Sequence, residues 1–129
     1  MSDLWTQFRS EFAAVITLPV QWGDQDAFGH VNNTVYLRWF ESARIIYGAK
    51  VGLSTLKTTP KIGPILAAVS CNYRRQVTFP DTVHIGARIT KLGRSSMLMQ
   101  HHVWSETQQA VVADGDSTVV CFSYADNKS

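Results

Sequence analysis

Gln21 to Lys50 reads QWGDQDAFGHVNNTVYLRWFESARIIYGAK, and its character changes twice. Up to Trp22 it is the tail of an apolar run with strand propensity. From Gly23 to Gly29 it is a loop with a glycine at each end and two carboxylates, Asp24 and Asp26. After Asn32 and Asn33 the apolar residues Tyr36, Trp39, Phe40, Ala43, Ile46 and Tyr47 recur at three- and four-residue spacing, which predicts a helix. Asn32 fits the N-cap, where its side chain can accept from an unpaired amide of the first turn. The order is strand, acidic loop, helix N-terminus. Such a terminus carries free N–H groups and a partial positive charge, and it suits a polarised or anionic oxygen. A carboxylate just upstream can act on an electrophile whose oxygen the helix holds.

Outward from this stretch, 129 residues at 45% apolar content suffice for one domain and leave little room for a second. The expectation is a single domain over 1–129 with its core at about 14–124. A net charge of +2, with Arg74-Arg75 as the only adjacent cationic pair, gives no footprint for nucleic acid. The start, MSDLWTQFRSEF, lacks the basic and apolar regions of a signal peptide. No apolar run reaches the ~18 residues that span a bilayer. The expected setting is soluble and cytoplasmic, with Cys71 and Cys121 as reduced, buried thiols.

Before the loop, residues 1–13 read as a short helix or lead-in with Trp5, Phe8 and Phe12 docked on the body. Ala14 to Trp22 is the first strand, and Pro19 within it favours an edge or a bulge. The helix runs from about Asn33 to Val51 and is apolar around most of its circumference, as suits a helix wrapped by a sheet. Gly52 ends it. Ser54 to Gly63 is long enough for a flap. Four strands follow: Ile65 to Phe79; a half-buried one with Val83, Ile85, Ala87 and Ile89 on one face; one through Met97, Met99 and Val103; and Ala110 to Ser123. Turns at Leu92–Ser95 and Gln108-Gln109 separate the last three. The predicted class is α+β, in the order β-α-β-β-β-β.

The run D-Q-D-A-F-G-H-V-N-N-T-V-Y-L-R-W-F-E-S-A-R, from Asp24 to Arg44, resembles the signature of hotdog-fold acyl-CoA thioesterases of the 4-hydroxybenzoyl-CoA thioesterase-like family. That pattern is D-x-D-x-x-G-x-V-N-N-x-x-Y, then an aromatic, a Glu and an Ala-Arg pair. R-R-Q-V-T-F-P-D-T-V and T-K-L-G-R-S-S follow in the family's order. The resemblance implies a curved antiparallel sheet of about five strands around one long central helix. It also implies a homodimer or homotetramer with the active site at the dimer interface.

Its catalytic carboxylate would be Asp26, as nucleophile or as general base for water, with the backbone amide near Asn33 stabilising the oxyanion. The bland reading of Asp26 is a turn cap. Asp24 fits loop ordering better than chemistry. Gly29, His30 and Asn32 would shape the substrate site. Glu41 is the backup acid, because another hotdog branch takes its carboxylate from the central helix; pairing with Arg38 or Arg44 is its plainer role. Tyr36 and Trp39 fit the core better than an acyl pocket.

Coenzyme A carries several phosphate charges and enters as part of the substrate, so cations are needed at the mouth. Arg74, Arg75, Lys91 and Arg94 are candidates, with Gly93 and Ser95 as further donors. No cofactor and no metal are expected. Asp24-x-Asp26 opens like a calcium loop, but its twelfth position is Val35 where a Glu is required. His101 and His102, adjacent on a strand, point to opposite faces. Two alternatives stand beside the thioesterase: a non-catalytic acyl-CoA or acyl-carrier binding protein, and a hotdog hydratase or dehydratase. The latter resembles D-x-N-P-x-H, which is absent here. The acyl group stays open among aromatic, short and long chains.

Overall fold

The computed structural model describes residues 3–50 and 62–123. Helix α1 spans Asp3–Glu11, strand β1 Ala14–Pro19 and helix α2 Asn33–Lys50. Four strands follow: β2 Ile62–Tyr73, β3 Thr82–Leu92, β4 Ser96–Ser105 and β5 Ala110–Ser123. They form one antiparallel sheet in the order β1-β3-β4-β5-β2. This is the hotdog arrangement, with α2 as its central helix. The flap expected at Ser54 to Gly63 and the helix end at Val51-Gly52 lie outside the described residues, apart from Ile62 and Gly63, which open β2.

The inner face of the sheet closes on α2. Val35, Tyr36, Trp39, Phe40, Ala43 and Tyr47 pack with Val83, Ile85, Ala87, Met99, Val103 and Val112 into one core. Burying such side chains contributes roughly 1.5–3 kcal/mol each, and that packing rather than helix propensity holds α2 in place. A second cluster lies on the outer face, where Phe8 of α1 and Phe12 just after it meet Trp104. Strand β3, expected to be half-buried, is therefore covered on both sides from Val83 to Ala87. Gly86 is where Phe12, just after α1, presses on the sheet, since an added Cβ there would stand 2.4 Å from the Phe12 ring.

Two strand ends differ from the sequence expectation. Strand β1 stops at Pro19, which sits on an edge strand as expected, and Trp22–Asp24 forms a 3-10 turn. Strand β2 ends at Tyr73 rather than near Phe79. The chain leaves the sheet there, with the Arg74 and Arg75 amides both turned to the Val112 carbonyl. The alternation along β2 is also broken by a register shift between Leu66 and Ala68. Among its described side chains, Leu66, Val69 and Tyr73 stay exposed, as do Ile45 and Ile46 on α2. An apolar edge strand with unpaired backbone groups is a surface that proteins ordinarily cover. No helix among the described residues is long and apolar enough to cross a membrane.

Candidate active site

The acidic loop is folded on itself by its own carboxylates. Asp24 caps the 3-10 turn: its Oδ2 accepts from the Gln21 amide at 2.8 Å, and its backbone N–H returns to the Gln21 carbonyl at 2.9 Å. Its other oxygen stands 4.0 Å from Arg38. Both oxygens thus serve architecture. The Asp26 amide donates to the His30 carbonyl at 2.7 Å, and a bridge between Gln25 and Val31 closes the loop. Gly29 has φ 80, which favours glycine at this position.

Asp26 uses one oxygen for the loop. Its Oδ1 accepts from the Phe28 amide at 2.8 Å and the His30 amide at 3.3 Å. The turn-capping role therefore falls on one oxygen of the carboxylate. Capping fixes the side chain, and no hydrogen bond to Oδ2 is found among the described residues.

Asn32 caps α2 through Oδ1, which accepts from the Thr34 amide and hydroxyl at 3.0 Å each. The next amide, that of Asn33, belongs to the first turn, where a helix provides no acceptor of its own. Asp26 and Asn33 meet in a cleft of about 330 Å³, lined also by His30, Val31, Tyr36, Tyr73, Arg74, Arg75 and Gln76. That is the lower end for a small-molecule site.

Of the residues singled out in the sequence, the cleft brings together Asp26, His30, Asn33, Arg74 and Arg75, with Tyr36, expected in the core, also on its wall. Gly29 and Asn32 shape it from behind as turn and cap. Glu41 is exposed on α2 and does not line it; it acts instead on Arg44, whose charge it favours. Lys91, Gly93, Arg94 and Ser95 stand at the β3–β4 turn. The cleft lies at the other end of β4, since Tyr73 pairs with Ala113 and Ala113 with Val103, whereas Met97 pairs with Leu92. Six residues of strand separate the two positions, roughly 20 Å. Within one chain these four do not reach the cleft.

The two adjacent arginines differ sharply. Arg74 is held by Asp114, Nε to Oδ2 at 2.9 Å and Nη2 to Oδ1 at 3.2 Å, and Asn72 donates to the same carboxylate. The Arg74 guanidinium holds the Asp114 carboxyl below its usual range. Arg75 has no such partner among the described residues, so its charge is available at the cleft. Tyr73 and Gln76 also line the cleft, and sequence reading missed both. The signal for Tyr73 was a polar-tipped aromatic at a strand end, directly before two arginines.

Residues 20–129 match the model of the thioesterase-like superfamily, and the chain belongs to that family. It is 28% identical to the long-chain acyl-CoA thioesterase FadM of Escherichia coli over 104 residues, which are 81% of this chain and 79% of FadM. A thioesterase from Thermus thermophilus, solved with coenzyme A and zinc, superposes with a TM-score of 0.74 at 32% identity, covering 84% of this chain and 83% of that one. The uncharacterized protein YsmA of Bacillus subtilis is 26% identical over 95 residues, 74% of this chain. The matched region spans 63% of YsmA's length, under two thirds. Among the described residues, no group of three or more His, Cys, Asp or Glu side chains is placed to hold a metal ion.

Proposed function

We propose that this protein is an acyl-CoA thioesterase, hydrolysing R-CO-S-CoA to the free acid and coenzyme A. The observation that carries the reading is one cleft holding an oriented carboxylate, Asp26, beside the open amide of a helix N-terminus at Asn33. The thioester carbonyl oxygen would take the Asn33 N–H. Asp26 Oδ2 would either remove a proton from the attacking water or attack the carbonyl itself, giving a mixed anhydride that water then opens. In both routes the tetrahedral intermediate collapses with loss of the CoA thiolate, which is protonated on release. Developing negative charge on the oxygen falls on the amide and the helix dipole, and that difference between ground and transition state is what accelerates a reaction. FadM's activity on long-chain acyl-CoA and the coenzyme A bound by the Thermus protein support the substrate class.

The test is release of free thiol from a panel of aromatic, short-chain and long-chain acyl-CoAs. Turnover of at least one member supports the reading. Coenzyme A esters that bind without any turnover replace it with a binding module.

The unpaired Arg75 is proposed to meet an anionic group of coenzyme A. Arg75→Ala is expected to raise KM about fivefold, leaving kcat unchanged, with an effect that shrinks as salt is added. Arg74→Ala should raise KM less, because that guanidinium is already committed to Asp114. Steady-state kinetics at two ionic strengths measures both.

The assembly proposed is a homodimer formed through the exposed edge of β2 and the Ile45-Ile46 side of α2. The cleft opens beside that edge, at Tyr73. Contacts to coenzyme A from Lys91, Gly93, Arg94 or Ser95 would then come from the second copy. The expected place of action is the cytoplasm, where acyl-CoA is found and a free Cys71 thiol stays reduced.

A further inference from the structure

Tyr73 ends β2 and lines the cleft beside Asn33 and Tyr36. Its hydroxyl donates to the Asn33 carbonyl oxygen at 3.1 Å, and its ring meets Tyr36 edge-on, 5.0 Å between centroids at 86°. In an α-helix that carbonyl already has a donor, the amide four residues on, which here is Leu37. The tyrosine bond is therefore extra. It ties the edge strand of the sheet to the first turn of α2, at the residue that lines the cleft and whose N–H the proposed mechanism uses.

The location matters because α2 is supported unevenly. It packs mainly on β1 and β3, while β2 lies at the opposite edge of the sheet. On the β2 side, the first turn is held by the Tyr73 hydroxyl and by the contact of the two tyrosine rings. Partial burial pushes the Tyr73 phenol above its usual pKa, and the neighbouring Cys71 acts in the same direction. The hydroxyl thus keeps its proton at neutral pH and stays a donor.

We propose that Tyr73 is a positioning residue for the oxyanion donor, clamping the first turn of α2 so that the Asn33 amide stays aimed at the substrate oxygen. The proposal rests on the thioesterase reading and adds to it a residue that exchanges no proton with the substrate. A small displacement of a fixed donor is costly, since misplacement by ~1 Å can remove a hundredfold in rate. Loss of one tethering hydrogen bond allows a smaller movement than that.

The variant is Tyr73→Phe, which removes the hydroxyl and keeps the ring against Tyr36. It is compared with wild type in turnover of the best acyl-CoA, in melting temperature and in binding of two inert analogues. One analogue is a ketone with methylene in place of sulfur, which presents a carbonyl to the Asn33 amide. The other is an alkyl thioether of coenzyme A, which has none. Tyr73→Phe should lower kcat about tenfold with KM within about twofold. It should weaken the ketone and leave the thioether and the melting temperature unchanged.

Unchanged kcat overturns the proposal. So does a variant that melts earlier and loses both analogues equally, which would make Tyr73 a packing residue. A wild type inactive on every acyl-CoA would instead remove the thioesterase reading beneath it, before the variant is considered.

Discussion

Asp26→Asn lowers kcat by ~100-fold or more while KM and melting temperature stay near those of wild type; this is the expected result of steady-state assays on the best acyl-CoA. The substitution is unusually clean here. The side-chain oxygen of Asn can accept from the Phe28 and His30 amides as Asp26 Oδ1 does, at the same reach. The loop keeps its cap, Gly29 keeps its turn and His30 keeps its place. What disappears is the negative Oδ2, the oxygen that no protein donor claims among the described residues. Asp26→Ala would remove both functions and confound them. Activity within a few-fold of wild type in Asp26→Asn would exclude the carboxylate and move the chemistry to His30, the one imidazole that lines the cleft with it. Glu41 would be the weaker heir within one chain, since it does not line the cleft.

The elements that could be read from the sequence are those set by local chemistry. The helix from Asn33, its Asn32 cap, the Gly29 turn and the bounds of β5 follow from periodicity and turn preference within a few residues. The class of fold follows from the Asp24 to Arg44 motif. What could not be read depends on partners distant in sequence. Arg74 and Arg75 look alike in the chain; only the pairing of Asn72 with Asp114 across β2 and β5 shows that one of them is neutralised. The two-sided burial of β3 needed the placement of α1 and of Phe12 just after it, which rests on Gly86. The exposed face of β2 needed the register shift at Ala67, because a one-residue slip reverses every side chain beyond it. Tyr73 became a site residue only when the end of β2 was laid against the start of α2.

Acidification should destabilise this fold before its carboxylates protonate, and His101 is the main reason. The side chain is fully buried, stacked on Phe40 at 4.7 Å and 17°. Its Nδ1 lies 3.2 Å from the Gly86 carbonyl, which can only accept, so Nδ1 carries the proton. A neutral ring then leaves Nε2 as an acceptor for the Ser117 hydroxyl at 2.9 Å, and Ser117 Oγ accepts from Arg44 Nη1 at 2.8 Å. The chain of donors runs one way, Arg44 to Ser117 to His101 to Gly86, and a second proton on His101 would break it. Burial is the largest cause holding its pKa down at about 4; the Gly86 carbonyl pulls upward, and the Arg44 charge adds to the depression. Unfolded, the same ring titrates near 6.5. Between those values the unfolded chain binds a proton that the folded one refuses, so stability rises with pH and falls as pH drops from about 6.5 toward 4. The integrated loss is roughly 3 kcal/mol, a large part of a small domain's stability. His102, also depressed by burial, acts in the same direction. Denaturant unfolding of His101→Gln isolates the share of His101, because an amide can donate to Gly86 and accept from Ser117 but does not titrate. Its stability should change with pH about 1.4 kcal/mol per unit less steeply than wild type across that window, one proton fewer in the linkage. Equal slopes in the two proteins would mean that the ring is charged inside the fold, and that the one-way chain from Arg44 is wrong.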